Sequence, residues 1–202
     1  MAKLKGPLFS LGASQKLADT LVYFSWKGLN VVREYVIPSN PKTTKQVTQR
    51  GYLTAAVAAV HAAQAHATNP LVEADATAYS LWASVVQKAT TWFNQVCRNW
   101  IDNNVATTLG CVCSGGSLDN TTPGQLDAEV FLSEVTCAAG KFFYGTSKTA
   151  LINSEVAVIT TQVATASIAG LTAGVKYFVQ FVVDAADPSE GAKSGIYTEY
   201  AT

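Results

Sequence analysis

The residues that could do chemistry are few. His61 and His66 are the chain's two histidines. They stand five apart in a helical pattern and so face different directions, whereas a helical metal pair stands three or four apart. A Ser/His/Asp triad would have to use one of them, and no G-x-S-x-G turn accompanies them. Neither a phosphate-cradling G-x-x-x-x-G-K-[ST] loop nor a dinucleotide-type G-x-G-x-x-G is present. Asp127 and Glu129 stand two apart on an expected strand and share a face. Paired carboxylates can hydrolyse glycosides, but nothing in the sequence frames a cleft here, and the two read as solvated edge charges. Cys111-Val-Cys113 is too tight for usual zinc spacing, and no second Cys/His pair completes a site with Cys97 or Cys137. The four cysteines read as small buried thiols. A Cys111–Cys137 or Cys113–Cys137 bridge stays open for oxidising surroundings. No enzyme, cofactor or metal is expected.

Composition turns attention from chemistry to surface. Hydrophobic residues make up 49% of the 202 and charged residues 14%, against about 25% charged in a typical domain. Such a surface suits a protein covered by copies of itself or by partners. The net charge is zero but unevenly spread. Residues 1–50 carry eight Lys/Arg against Asp19 and Glu34, or +6, while residues 103–202 carry four against nine, or −5. Opposite ends of neighbouring copies would attract; a basic start could also meet nucleic acid. No run of about 18 apolar residues would span a membrane. No long apolar stretch follows Met1, so synthesis and folding in a cytoplasm are expected.

Taken in order, residues 1–19 read as an arm or loop. Runs 20–26 and 31–37 read as a β-hairpin around Lys27-Gly-Leu-Asn30, with Gly28 and Asn30 suited to positive φ. A lone hairpin is marginal in water, so it must lean on the helices or add to a neighbour's sheet. Pro38–Pro41 ends it, with Asn40 as a candidate N-cap and Pro41 at the first helical position. That helix runs to about His66. A second helical region runs from Asn69-Pro70 to about Asp102. Its apolar stripe is Trp82, Val85, Val86, Ala89, Phe93, Val96 and Trp100, and Thr90-Thr91 can break it in two. Gly115 to Gly124 reads as a long turn-rich segment.

Strands are then expected at 128–135, 141–144, 155–160, 162–168, 176–184 and 195–200. Six or seven short strands in about 95 residues fit a β-sandwich. Leu171-Thr-Ala-Gly-Val-Lys-Tyr177 leads into the apolar run Tyr177–Val183. Turn, tyrosine and strand together predict a tyrosine hydroxyl bonded back to the turn backbone, with the ring packed inward. The predicted architecture is an α+β module of arm, hairpin and two helical segments over 1–102, then an all-β sandwich over 103–202.

The second half resembles a fibronectin type III domain. The resemblance rests on Leu171, Gly174 and Tyr177, the alternation Tyr177/Val179/Phe181/Val183, Gly191 and Ser194-Gly-Ile-Tyr-Thr198. It implies an immunoglobulin-like sandwich. The family's early-strand tryptophan is absent, with Lys141-Phe-Phe-Tyr144 in its place, and no Arg-Gly-Asp is present. The first hundred residues resemble a family of uncharacterised proteins from phage and prophage structural gene neighbourhoods. The carrying residues are Gly6-Pro-Leu-Phe-Ser10, Phe24–Arg33, Val36–Thr43, Gln46–Arg50, Trp82 and Trp92–Asn99.

The resemblance implies a structural component of a bacteriophage-like virion: capsid, neck or tail, made in the host cytoplasm. Its expected partners are copies of itself and other virion proteins, with weak contact to host-surface glycans and no membrane. Trp26, Lys27, Arg33 and Arg50 are candidate interface residues; Asn40, Pro41, Leu171 and Tyr177 are candidate structural ones. The alternatives are a surface or secreted adhesin binding through the sandwich and a packaging protein holding nucleic acid on its basic arm.

Overall fold

The computed structural model describes residues 2–3, 15–17, 20–37, 39–88, 91–185 and 187–202. The described residues form a mixed α+β fold with three helices and antiparallel sheets. It divides into two compact units, Met1–Thr43 and Thr44–Thr202. The helices, expected in one module with the hairpin, therefore share a unit with the C-terminal strands. All of the motif Gly6–Ser10 and most of the expected arm lie outside the described residues, as do Pro38, Ala89 and Thr90.

In the first unit the hairpin is β3 (Leu21–Trp26) and β4 (Leu29–Glu34). Its turn is shorter than the sequence predicts. Lys27 (φ 49°) and Gly28 (φ 75°) make it alone, and Trp26 faces Leu29 across the ladder. Positive φ at both turn residues marks a type I′ turn, whose twist matches that of the strands it joins. Asn30 pairs with Ser25 inside the strand instead of turning. The hairpin edges are not free. β1 (Ala2–Lys3) pairs with β4, and β2 (Gln15–Leu17) pairs with β3. Part of the expected arm thus supplies the outer strands of a four-stranded sheet.

The second unit opens with α1 (Thr44–Gln64), α2 (Glu73–Val86) and α3 (Trp92–Val105). α1 begins three residues after Pro41, because Lys42 takes a left-handed φ of 47° and interrupts the run. Asn40 and Pro41 thus lie four and three residues ahead of the first helical residue. The long helical region breaks where the threonines stand. Gln87 closes α2 in the left-handed region, and the Thr91 side chain accepts from Asn94 N at 3.2 Å to start α3. Trp82 and Val96 from the stripe join Cys97, Tyr79, Ala56, Val60 and Ala63 in the helical core. The small residues let α1 approach closely.

Eight strands follow: β5 (Cys113–Asp119), β6 (Gln125–Leu132), β7 (Gly140–Gly145), β8 (Asn153–Val156), β9 (Val158–Thr160), β10 (Val163–Ala169), β11 (Lys176–Val183) and β12 (Tyr197–Tyr200). They form two four-stranded sheets, β5-β6-β10-β9 and β12-β11-β7-β8. The inner faces share one core: Val130 and Leu132 of β6, Ile168 of β10, Phe142 of β7, and Val179, Phe181 and Val183 of β11. Each such side chain contributes roughly 1.5–3 kcal/mol when fully buried. Phe142 of β7 meets Phe181 of β11 at 5.2 Å between ring centroids.

Two departures from the expected strands have local causes. The run expected as one strand, 155–160, is split by buried Ala157, whose N–H bonds to Gly140 O at 2.9 Å. There the chain leaves one sheet for the other: β8 pairs with β7 and β9 with β10. The turn-rich reading of residues 115–124 missed β5, whose ladder with β6 is irregular between Ser114 and Ser117. Gly115-Gly116 is a bulge inside a strand, not a turn. The Tyr177 turn forms as expected. Thr172 N donates to Tyr177 Oη at 3.1 Å, Gly174 takes φ 76°, and Leu171 packs half-buried beside the ring.

Candidate assembly surfaces

The described part of the first unit buries little of its surface. Among its described side chains from residue 20 onward Val31 alone is buried, while Leu21, Trp26, Leu29, Val36 and Ile37 are exposed. Trp26 sits at the hairpin tip with about half its surface in solvent (52%). Lys27 is in the turn itself. Arg33 is exposed and lies over the Phe24 ring, 5.4 Å from its centroid. These three lie on one hairpin. Arg50 is exposed on α1, in the other unit. The first turns of α1 are solvent-facing, with Val47 and Leu53 exposed. In the second unit the edge strands β8 and β9 carry Val156 and Val158, both exposed, beside Ile152 at 83%. An exposed edge offers unpaired N–H and C=O groups to another chain.

The opposite edges are managed differently. α2 lies beside β5 and β12, and one buried carboxylate makes the joint. Asp75 is fully buried in the first turn of α2. Its Oδ2 accepts from Val72 N at 3.0 Å and Gly115 N at 3.1 Å; its Oδ1 accepts from Gly116 N at 2.9 Å and Tyr197 Oη at 2.6 Å. Four donors from the helix entry, the β5 bulge and β12 thus converge on one carboxylate. Ser114 Oγ adds a bond to Asn69 O, and Ile196 N donates to Ala78 O at 3.0 Å. Gly116 must be glycine, because a Cβ there would run into the Tyr197 ring. Sequence reading missed Asp75: an acidic residue in a first helical turn is ordinary for helix-dipole reasons alone.

Burial controls the ionisation of the groups around this joint. It pushes the Tyr197 hydroxyl well above the ordinary 10.0, and the negative Asp75 adds to the rise. Tyr79, which donates to Cys113 O at 2.9 Å, is raised mainly by burial too. The folded state therefore holds both phenolic protons more tightly than the unfolded chain. That stability is complete below the ordinary tyrosine range and is lost as pH rises past about 10 towards the raised values. Expected on alkaline titration is a tyrosinate absorbance step for these two that coincides with loss of circular dichroism. Smooth ionisation of all eight tyrosines before any structural change would contradict it.

All four cysteines are free and buried. The hydrogen bond between Cys113 and Cys111 raises Cys113 and lowers Cys111. Cys137 is pushed up to about 12, first by burial and then by the charge of Asp187. That carboxylate accepts from Ala138 N and Ala139 N at 2.8 and 3.2 Å, tying the β11–β12 loop to the start of β7. No cluster among the described residues could hold a metal ion, and no described helix is long and apolar enough to cross a membrane. His66 Nδ1 accepts from Asn69 N at 3.0 Å, and its ring lies 4.5 Å from that of Phe131. His61 meets Gln64 at 3.2 Å. Asp127 accepts from Gln125 and Ser167, and Glu129 is exposed. Arg98–Asp102 and Lys141–Asp184 are partly solvated ion pairs at 3.3 and 3.6 Å, a class worth about 0–1 kcal/mol each. No family model, curated protein or solved structure matches this chain.

Proposed function

We propose that this protein is a non-enzymatic structural subunit of a bacteriophage-like virion and works in many copies. The observation that carries the proposal is the first unit's sheet, which exposes Leu21, Trp26, Leu29, Val36 and Ile37 and buries Val31 alone among the side chains described there from residue 20 onward. Strands whose described side chains are this exposed gain stability when something covers them. Copies of the same chain are the cover that the low charge content and the basic first half favour. The virion setting comes from the resemblance of residues 1–100 to phage-associated proteins.

The second unit is read as an immunoglobulin-like sandwich of the fibronectin type III kind. Its strand order, β5-β6-β10-β9 over β12-β11-β7-β8, supports this when the strands are lettered A-B-E-D and G-F-C-C′. The Tyr177 turn supports it as well. In this reading α2 covers the A/G side, while the C′/D side stays open to neighbours or host surfaces.

The test is concentration-dependent mass measurement with negative-stain imaging, at low and high salt. Rings, tubes or filaments are expected from the parent chain, and none from Trp26→Ser/Leu29→Ser. A parent chain that stays monomeric at high concentration in both salts would overturn the reading.

A further inference from the structure

Where α2 crosses the edges of β5 and β12, a groove of about 450 Å³ is left within the second unit. Ala74, Thr77 and Leu81 form its helical wall, at i, i+3 and i+7 on one face of α2. Half-buried Leu118 of β5 lines the other side. Both strands are the outermost of their sheets, and an end strand offers N–H and C=O groups to another chain. Glu199 is the one charged side chain among the described residues that line the groove. Its Oε1 accepts from Tyr200 N at 2.9 Å, and neither described ion pair involves it. Tyr197, another lining residue, donates to the buried Asp75 carboxylate, so a second negative charge lies behind the wall. The groove therefore suits an apolar body with a cation at its edge and repels an anion.

The hairpin of the first unit ends in that combination. Trp26 and Leu29 face each other across the ladder and so share one face, 52% and 47% exposed. Lys27 stands between them in the two-residue turn. Tryptophan is among the residues that carry most of the binding energy at interfaces. Other exposed apolar side chains match the groove less well. Val72, Val135 and Val156 adjoin Glu73, Glu134 and Glu155, which Glu199 would repel.

We propose that the hairpin tip of one copy docks in this groove of a second copy. Trp26 and Leu29 pack against Thr77, Leu81 and Leu118, and the Lys27 ammonium lies beside the Glu199 carboxylate. The proposal rests on the reading of this protein as a self-assembling subunit and names the two surfaces that meet. Tip and groove are different surfaces, so the contact runs head to tail and leaves each pair with a free tip and a free groove. Such a contact closes into a ring or continues as a filament.

The test mixes two disabled variants of the full chain and reads their masses by sedimentation velocity. Trp26→Ser/Leu29→Ser removes the tip, and Thr77→Arg/Glu199→Lys fills the groove and reverses its charge. Thr77 is exposed and Glu199 half-buried, so the groove variant is expected to melt within about 2 °C of the parent. Each variant alone is expected to stay monomeric where the parent assembles. Mixed, they are expected to form a one-to-one dimer and nothing larger, because one intact tip meets one intact groove. Lys27→Glu is expected to weaken assembly at least about tenfold, and Lys27→Glu/Glu199→Lys to restore it. A groove variant that assembles like the parent, a mixture that stays monomeric, or a charge swap without recovery would each overturn the groove as the docking site while the self-assembly reading stands. A parent chain that is monomeric at low and high salt would overturn both. The charge swap leaves Thr77 in place, so it keeps the test valid if Thr77→Arg does not fold.

Discussion

Replacing Asp75 by asparagine is expected to cost about 3–5 kcal/mol, and to lower the melting temperature of the second unit by about 10 °C or more. The reason lies in counting donors. The carboxylate accepts four hydrogen bonds and has no solvent contact. In Asp75→Asn one oxygen becomes an NH₂ group that must face N–H donors. If Oδ1 keeps Gly116 N and Tyr197 Oη, the part-buried backbone amides of Val72 and Gly115 lose their acceptor. Each orphaned donor costs about 1–3 kcal/mol. Tyr197→Phe removes one donor and leaves three, so a smaller loss of about 1–2 kcal/mol is expected. Thermal and urea unfolding of the two variants would test this. A melting temperature within about 2 °C of the parent for Asp75→Asn would show that the joint is not a cooperative part of the fold.

Gly195→Ala is expected to be nearly as damaging, at about 3–4 kcal/mol, for a steric reason. A Cβ at this position would lie 2.6 Å from Ala78 C, Ala78 Cβ and Tyr79 N. Two of those atoms belong to the α2 backbone, so no rotamer change can relieve the clash. The helix would have to back away from the chain entering β12. That retreat lengthens the Ile196 N to Ala78 O bond, now 3.0 Å, and strains the nearby Asp75 joint. Hydrogen exchange at Ile196 is expected to quicken with the loss of stability. Unchanged exchange and an unchanged urea midpoint would contradict this packing. Gly28→Ala provides a contrast: nothing lies within 4 Å of the Cβ it would carry, so its cost is the left-handed φ alone, about 1–2 kcal/mol.

Local rules account for what the sequence determined alone. Trp82 on α2 and Val96 and Trp100 on α3 come from the apolar positions read at helical spacing, and they pack into one core. Thr91 capped a helix because a hydroxyl at that spacing can accept a backbone N–H. Tyr177 bonded its turn because the partner, Thr172, lies five residues away. The alternation through Val179, Phe181 and Val183 placed one face in the core. These signals reach only a few residues along the chain.

What the tertiary structure decided involves partners far apart in sequence. Gly115-Gly116 reads as a turn until Asp75, 40 and 41 residues away, takes both amides and makes it a bulge. Nothing local marks Ala2–Lys3 and Gln15–Leu17 as strands; they form because the hairpin's unpaired edges need hydrogen bonds. The helices were expected with the hairpin by proximity in sequence, yet α2 packs on β5 and β12, where it covers two strand edges. A cavity lined by Trp82, Asn99 and Lys193 has no sequence signal, since it arises only where α2, α3 and the β11–β12 loop meet. Periodicity and turn chemistry are short-range and legible. Edge covering, buried-charge satisfaction and cavity shape depend on which segments meet, and only the folded chain brings them together.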